Sequence, residues 1–179
     1  VTYAGSITPL LTQMSPRFGQ VTGGDSVTFT GTGFSATTSA YTILIDNRPC
    51  SVTAASTTSV TCTTANRPGL YPNPTLTIYI SGVGSVSTAG LIFRYCNFWS
   101  NTITWGGAFA PMEGETVYVP AGLHLLVDVD VTPVLQAVLV EGSLIFAPSS
   151  DPTHLRTFDA HYILVKGGYM EVGTEAFPY

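Results

Sequence analysis

The chain has 179 residues, room for one or two domains with real cores, and only 9% of them are charged, against about 25% in an ordinary soluble domain. With a mean hydropathy of +0.31, its surface is poorly solvated by charge alone, so glycans or neighbouring modules are expected to cover part of it. It excludes a membrane span within this segment, because Gly, Pro, Ser and Thr interrupt every apolar run short of the roughly 20 residues a bilayer requires.

Charge divides the chain. Up to Tyr95, four arginines face two aspartates; from Cys96 onward, Arg156 and Lys166 face nine carboxylates. A weakly basic first half and an acidic second half would attract head to tail between copies. The first half has no lysine and few basic residues, so a phosphate-contacting stripe is missing and nucleic acid is not an expected partner.

In chain order, Val1-Thr2-Tyr3-Ala4 reads as a strand, assigned to the end of a preceding module or to an exchanged strand over residues 1–6. Apolar and hydroxyl residues then alternate with a period near two in Val27-Thr28-Phe29-Thr30, in residues 41–45 and in Leu76-Thr77-Ile78-Tyr79-Ile80. Glycines at 19, 23, 24, 31, 33, 69, 82 and 84 mark the turns between them. Short alternating strands with closely spaced turns predict an antiparallel β-sandwich. Gly31 and Gly33 invite a nucleotide-binding reading, but no helix pattern follows them, and that fingerprint requires one.

Cys50 and Cys62 each close a short strand-like segment, with Ser and Thr between them. Either a hairpin brings them into a disulfide, worth about 2 to 3 kcal/mol across so short a loop, or they are two buried thiols. Cys96 is the odd one out and is a candidate for an intermolecular or external disulfide. There is no N-glycosylation sequon, since Pro follows Asn73 and neither Asn97 nor Asn101 has Ser or Thr two positions on. Hydroxyl-rich clusters make Thr37, Thr38, Thr57, Thr58, Thr63 and Thr64 candidates for O-glycosylation.

The second half follows another design. Residues 117–126, 138–146 and 163–170 each read as strand, glycine corner, strand, and their starts lie 21 and 25 residues apart. That period matches the coils of a β-helix or solenoid, in which each turn buries its face only against stacked neighbours. An uncapped last coil should seek a partner.

Chemistry is thin in both halves. Asp128 and Asp130 alternate along a predicted strand, which would set both carboxylates on one face about 6.5 to 7 Å apart, within the range of some glycosidase pairs, although they read chiefly as two solvated acids on an outward face next to buried Val127 and Val129. Trp99 and Trp105 are read chiefly as caps of the second module and secondarily as sugar-stacking rings. His124, His154 and His161 lack metal-ligand spacing, so neither a metal nor a cofactor is expected. Serine and threonine are plentiful without an arranged base, and no catalytic residue is assigned.

Two sets of motifs carry a resemblance. Met14-Ser15-Pro16 with Gly19 and Gly23-Gly24, then Thr30-Gly31-Thr32-Gly33-Phe34, then Pro49-Cys50 and Ser59-Val60-Thr61-Cys62, resemble the opening, glycine-rich turn and cysteine pair of an immunoglobulin-like IPT/TIG domain, over residues 7–95. Thr104-Trp105-Gly106-Gly107, the stretch 113–122 and Val172-Gly173-Thr174-Glu175 resemble the G-eight domain of fibrocystin-like surface proteins, over residues 96–179, with Glu113 and Glu115 at its acidic, loop-shaping positions. The resemblance implies an all-β chain, a sandwich followed by a β-helix-like and incomplete G-eight module. It implies a secreted or cell-surface location and a non-enzymatic role in adhesion, as a receptor ectodomain, or in a coat, stalk or filament built with other copies or neighbouring modules. G-eight domains also occur in proteins that bind or depolymerise hyaluronan, so polysaccharide work at Asp128, Asp130, Trp99 and Trp105 is the second expectation.

Overall fold

The computed structural model describes residues 8–69, 73–147 and 156–173. The candidates His154, Thr174 and Glu175 and the segment 1–6 lie outside these. The chain divides into two compact units, the first ending at Tyr95 and the second starting at Cys96, with Asn73 grouped with the second.

The first unit contains β1 (Leu10–Ser15), β2 (Phe18–Gln20), β3 (Ser26–Thr32), β4 (Tyr41–Ile45), β5 (Arg48–Pro49), β6 (Ser51–Ala55), β7 (Ser59–Thr63), β8 (Leu76–Ile80) and β9 (Gly84–Ser85). Two antiparallel sheets, ordered β1-β3-β7-β6 and β5-β4-β8-β9, share one core. Alternation does the sorting: in β3 the buried positions are Val27, Phe29 and Gly31, with Thr28 and Thr30 between them half-buried. Thr28 and Thr61 pair their hydroxyls at 2.9 Å across β3 and β7, one of the cross-strand contacts that fix register. Gly31 is glycine by necessity, since a Cβ there would run into the carbonyl oxygen of Leu10 on β1.

β4 and β5 are joined by a two-residue turn, with Asp46 at φ 51° and Asn47 at φ 59°. Asp and Asn are the non-glycine residues that best tolerate this left-handed pair of angles. Asp46 is then used twice more. Its Oδ1 accepts the N–H of Thr75 at 2.6 Å, and its Oδ2 meets Arg67 Nε at 2.9 Å with both side chains almost fully buried. The Arg67 guanidinium lies 5.6 Å from the centre of the Tyr95 ring, which stacks edge-on against Phe93.

Cys50 sits where the chain leaves one sheet for the other. Its N–H bonds to Ile43 of β4, and its sulfur is bridged to Cys62 of β7, with Cα atoms 5.5 Å apart. The bridge thus ties the crossing point to the opposite sheet, beside the β6–β7 hairpin.

The strand β10 (Arg94–Phe98) spans the boundary: the N–H of Arg94 bonds to the Arg17 carbonyl within the first unit, and Asn97 and Phe98 pair with Leu125 and Leu126 within the second. That unit is built from β11 (Thr116–Val119), β12 (His124–Val127), β13 (Ala137–Val140), β14 (Ser143–Phe146), β15 (Ile163–Val165) and β16 (Tyr169–Val172). All its pairings are parallel and in register: β11 with β13 with β15, and β10 with β12 with β14 with β16. Each strand–corner–strand segment is therefore one coil laid on the last. Val117, Val119, Leu125 and Val127 of the first coil stack under Val138, Val140, Leu144 and Phe146 of the second to form the core.

The corners explain the glycines. A Cβ on Gly142 would collide with the carbonyl oxygens of Pro120 and Leu123, and one on Gly168 with those of Val140 and Gly142. Each corner rests directly on the backbone of the corner before it, leaving no space for a side chain. On the outer face, the Tyr118 hydroxyl donates to Glu141 at 2.6 Å and Lys166 meets the other Glu141 oxygen at 3.6 Å, linking three successive coils.

Candidate functional site

The carboxylate pair stands differently from its sequence expectation. β12 ends at Val127, so Asp128 and Asp130 lie in the bend after the strand rather than along it. Asp128 accepts the backbone N–H of Ser100 at 2.9 Å and its hydroxyl at 2.5 Å, fastening the turn after β10. Asp130 meets the Arg156 guanidinium at 3.2 Å, and Arg156 also donates to the carbonyl of Ala147 at 2.6 Å. Both acids have structural partners that hold loops against the coils.

The two tryptophans separate as well. Trp99 is 2% exposed, in the core among Val117, Leu125 and Phe146, with Phe158 edge-on at 5.8 Å. Trp105 closes a short 3-10 turn (Thr102–Trp105) capped by the Asn101 side chain and ended by Gly106 at φ 69°. Its indole N–H donates to the Trp99 carbonyl at 2.8 Å, and its ring meets Trp99 edge-on at 5.1 Å. Held this way, half-buried, it forms one wall of an open trough of about 530 Å³ lined also by Phe109, Pro111, Glu115, Thr116 and Tyr118. Phe109 is 85% exposed and Tyr118 53%. The hydrogen bond to Glu141 fixes the Tyr118 hydroxyl and raises its pKa above the ordinary tyrosine value.

Glu115 shapes the rim. Its N–H bonds to the Met112 carbonyl at 3.2 Å while its carboxylate accepts the Met112 N–H at 2.8 Å, closing the turn around Gly114, which has φ 78°. Glu113 is exposed on the same turn. Phe109 was not among the residues that motif reasoning singles out, although its signal is visible: an aromatic residue in a Gly-Gly-Ala-Phe-Ala-Pro loop has no periodic apolar companions to bury it.

Of the hydroxyl candidates, Thr37, Thr57 and Thr58 are exposed on loops, Thr38 is exposed at the start of a 3-10 turn (Thr38–Ala40), and Thr63 is half-covered in β7. Thr64 is a correction: it is 4% exposed and its hydroxyl accepts the Asp25 N–H at 3.1 Å, so no sugar can be attached there. Cys96 is fully buried in β10. His124 is buried in β12 and His161 is exposed.

Ile163 and Val165 align with Val138 and Val140, which are 1% and 0% exposed, yet they are themselves 44% and 43% exposed. Met170 and Val172, aligned with buried Leu144 and Phe146, are 40% and 50% exposed. Among the described residues, the third coil's counterparts of the buried core positions are exposed.

Family models match the chain in two successive stretches, an IPT/TIG domain over residues 9–95 and a G8 domain over residues 104–179. The chain is similar to Fibrocystin-L of Mus musculus, with 32% identity, and of Homo sapiens, with 33% identity, each over 181 residues that make up 99% of this chain and 4% of the relative. Fibrocystin of Canis lupus familiaris is 28% identical over 142 residues, covering 76% of this chain and 3% of that protein. The chain spans a small part of the length of the relatives it matches. With the sandwich and coil geometries described above, these matches make the chain an IPT/TIG domain followed by a G8 domain, and it belongs with the fibrocystin-like cell-surface proteins.

Proposed function

We propose that this chain is a non-enzymatic structural module of an extracellular coat, stalk or filament, held in line by β-rich contacts with neighbouring modules or copies. The observation that carries the reading is the tandem of an IPT/TIG sandwich and a stack of parallel, in-register coils in a chain of which only 9% of residues are charged. Repeats of this kind bury their faces only by stacking on neighbours, so their stability comes from contacts between successive units.

The low charge agrees with this role, because a surface with so few ionic groups tolerates burial against neighbours at little desolvation cost. The sandwich, stapled through Cys50 and Cys62, is suited to an oxidising exterior. Sedimentation velocity tests the reading. The protein is expected to associate as its concentration rises while keeping its β circular-dichroism spectrum. Sedimentation as a monomer at every concentration would contradict it.

A further inference from the structure

We propose that the trough between the 105–111 loop and β11 is a binding site for a neutral glycan chain. Trp105, Phe109 and Tyr118 present rings to one open depression, and Phe109, at 85% exposure, has almost no packing within the unit. An aromatic residue so exposed, beside a second at 53%, is apolar surface that marks a contact site. The volume of about 530 Å³ falls in the usual range of ligand sites, roughly 300 to 1,000 Å³.

The walls are preorganised. Trp105 is fixed by its indole bond to the Trp99 carbonyl, Tyr118 by its hydroxyl on Glu141, and Glu115 by its reciprocal bonds with Met112. Rings held in place stack on the C–H face of a pyranose without losing rotamer freedom. Polar partners for sugar hydroxyls come from Glu115, Thr116 and the rim of β11. Gln136 and Glu141 donate to the carbonyls of Glu115 and Val119, so those positions face β13. Strand alternation then turns the N–H and C=O groups of Thr116 and Tyr118 to the outer edge, beside the trough.

Charge selects the class of glycan. Glu115 lines the trough and Glu113 is exposed on the same turn, no Lys or Arg lines it, and the second half of the chain carries nine carboxylates against two bases. A uronate or sulfated chain would be repelled, whereas a neutral hexose or N-acetylhexosamine chain has no such cost. An added peptide strand fits less well, because β11 has four residues and offers only two outward-facing backbone pairs.

Nitrogen-15 NMR titration of the full chain with cellohexaose, chitohexaose, mannohexaose and tetragalacturonate tests the assignment. At least one neutral hexasaccharide is expected to shift the Trp105 indole and the Thr116 and Tyr118 amide resonances saturably, and the galacturonate is not. Phe109→Ala and Tyr118→Ala should each weaken that binding by about tenfold, as loss of a central aromatic contact does, with the remaining spectrum unchanged. The proposal is overturned if none of the three neutral sugars moves those resonances at about 5 mM, a concentration that detects even millimolar affinity. Equal binding of the galacturonate, unaltered affinity in Phe109→Ala, or shifts along β11 produced only by an added Val/Thr hexapeptide would overturn it too.

Discussion

At the scale of single residues, the buried Arg67–Asp46 pair is the first unit's most consequential polar feature. Asp46 sits in a strained-looking but Asp-compatible turn, takes the Thr75 N–H and faces Arg67 at 2.9 Å, while the guanidinium covers Tyr95. Removing one partner leaves a buried charge without compensation. Arg67→Met is therefore expected to destabilise the first unit by about 3 to 5 kcal/mol in urea denaturation. Little of this was legible in the sequence, where Asp46 and Arg67 are 21 positions apart and only the fold joins them. Tyr95 makes a second, pH-linked prediction. Burial first, and the Asp46 carboxylate next, push its pKa up to about 12 while Arg67 opposes them. The folded value lies above the unfolded one of about 10, so the fold favours the neutral phenol. Stability from this group is complete below about pH 10 and is lost as pH rises towards 12. Denaturation series between these limits should show a steeper alkaline loss in wild type than in Tyr95→Phe; parallel curves would contradict the linkage.

Elements were legible where local pattern and tertiary role agree. Period-two alternation marks β3, β4 and β8, and the repeated strand–glycine–strand segments mark the three coils, because buried parallel strands need continuous apolar runs and their corners need glycine. Where they disagree, the sequence misleads: Asp128 and Asp130 extend the alternation of β12 on paper, but β12 ends at Val127 and the two acids turn away to hold Ser100 and Arg156. Thr64 likewise reads as part of a surface hydroxyl cluster, yet it is drawn inward to bond the Asp25 N–H. Coil stacking gives its own test. Gly142 lies against the Pro120 and Leu123 carbonyls, so Gly142→Ala must push two backbones apart and is expected to cost about 1 to 3 kcal/mol, read as a lower midpoint for the second unit's thermal transition. A change within a few tenths of a kcal/mol would mean that the corners are looser than described.

For the whole molecule, the order of the two units and their family were legible because glycine positions and the cysteine pair are demanded by backbone geometry. The trough was only half legible: Trp105 stood in a motif, but Phe109 and Tyr118 reach the same depression through a loop and an edge strand that no short spacing connects. The proposed assembly rests on the stacked in-register coils and the sparse charge. Electron microscopy of the purified 179-residue chain at high concentration tests this most directly. Ordered fibres or sheets are the predicted result and would identify a module that assembles by itself. Dispersed single particles at high concentration would contradict the account and turn the search to an ectodomain that recognises a ligand.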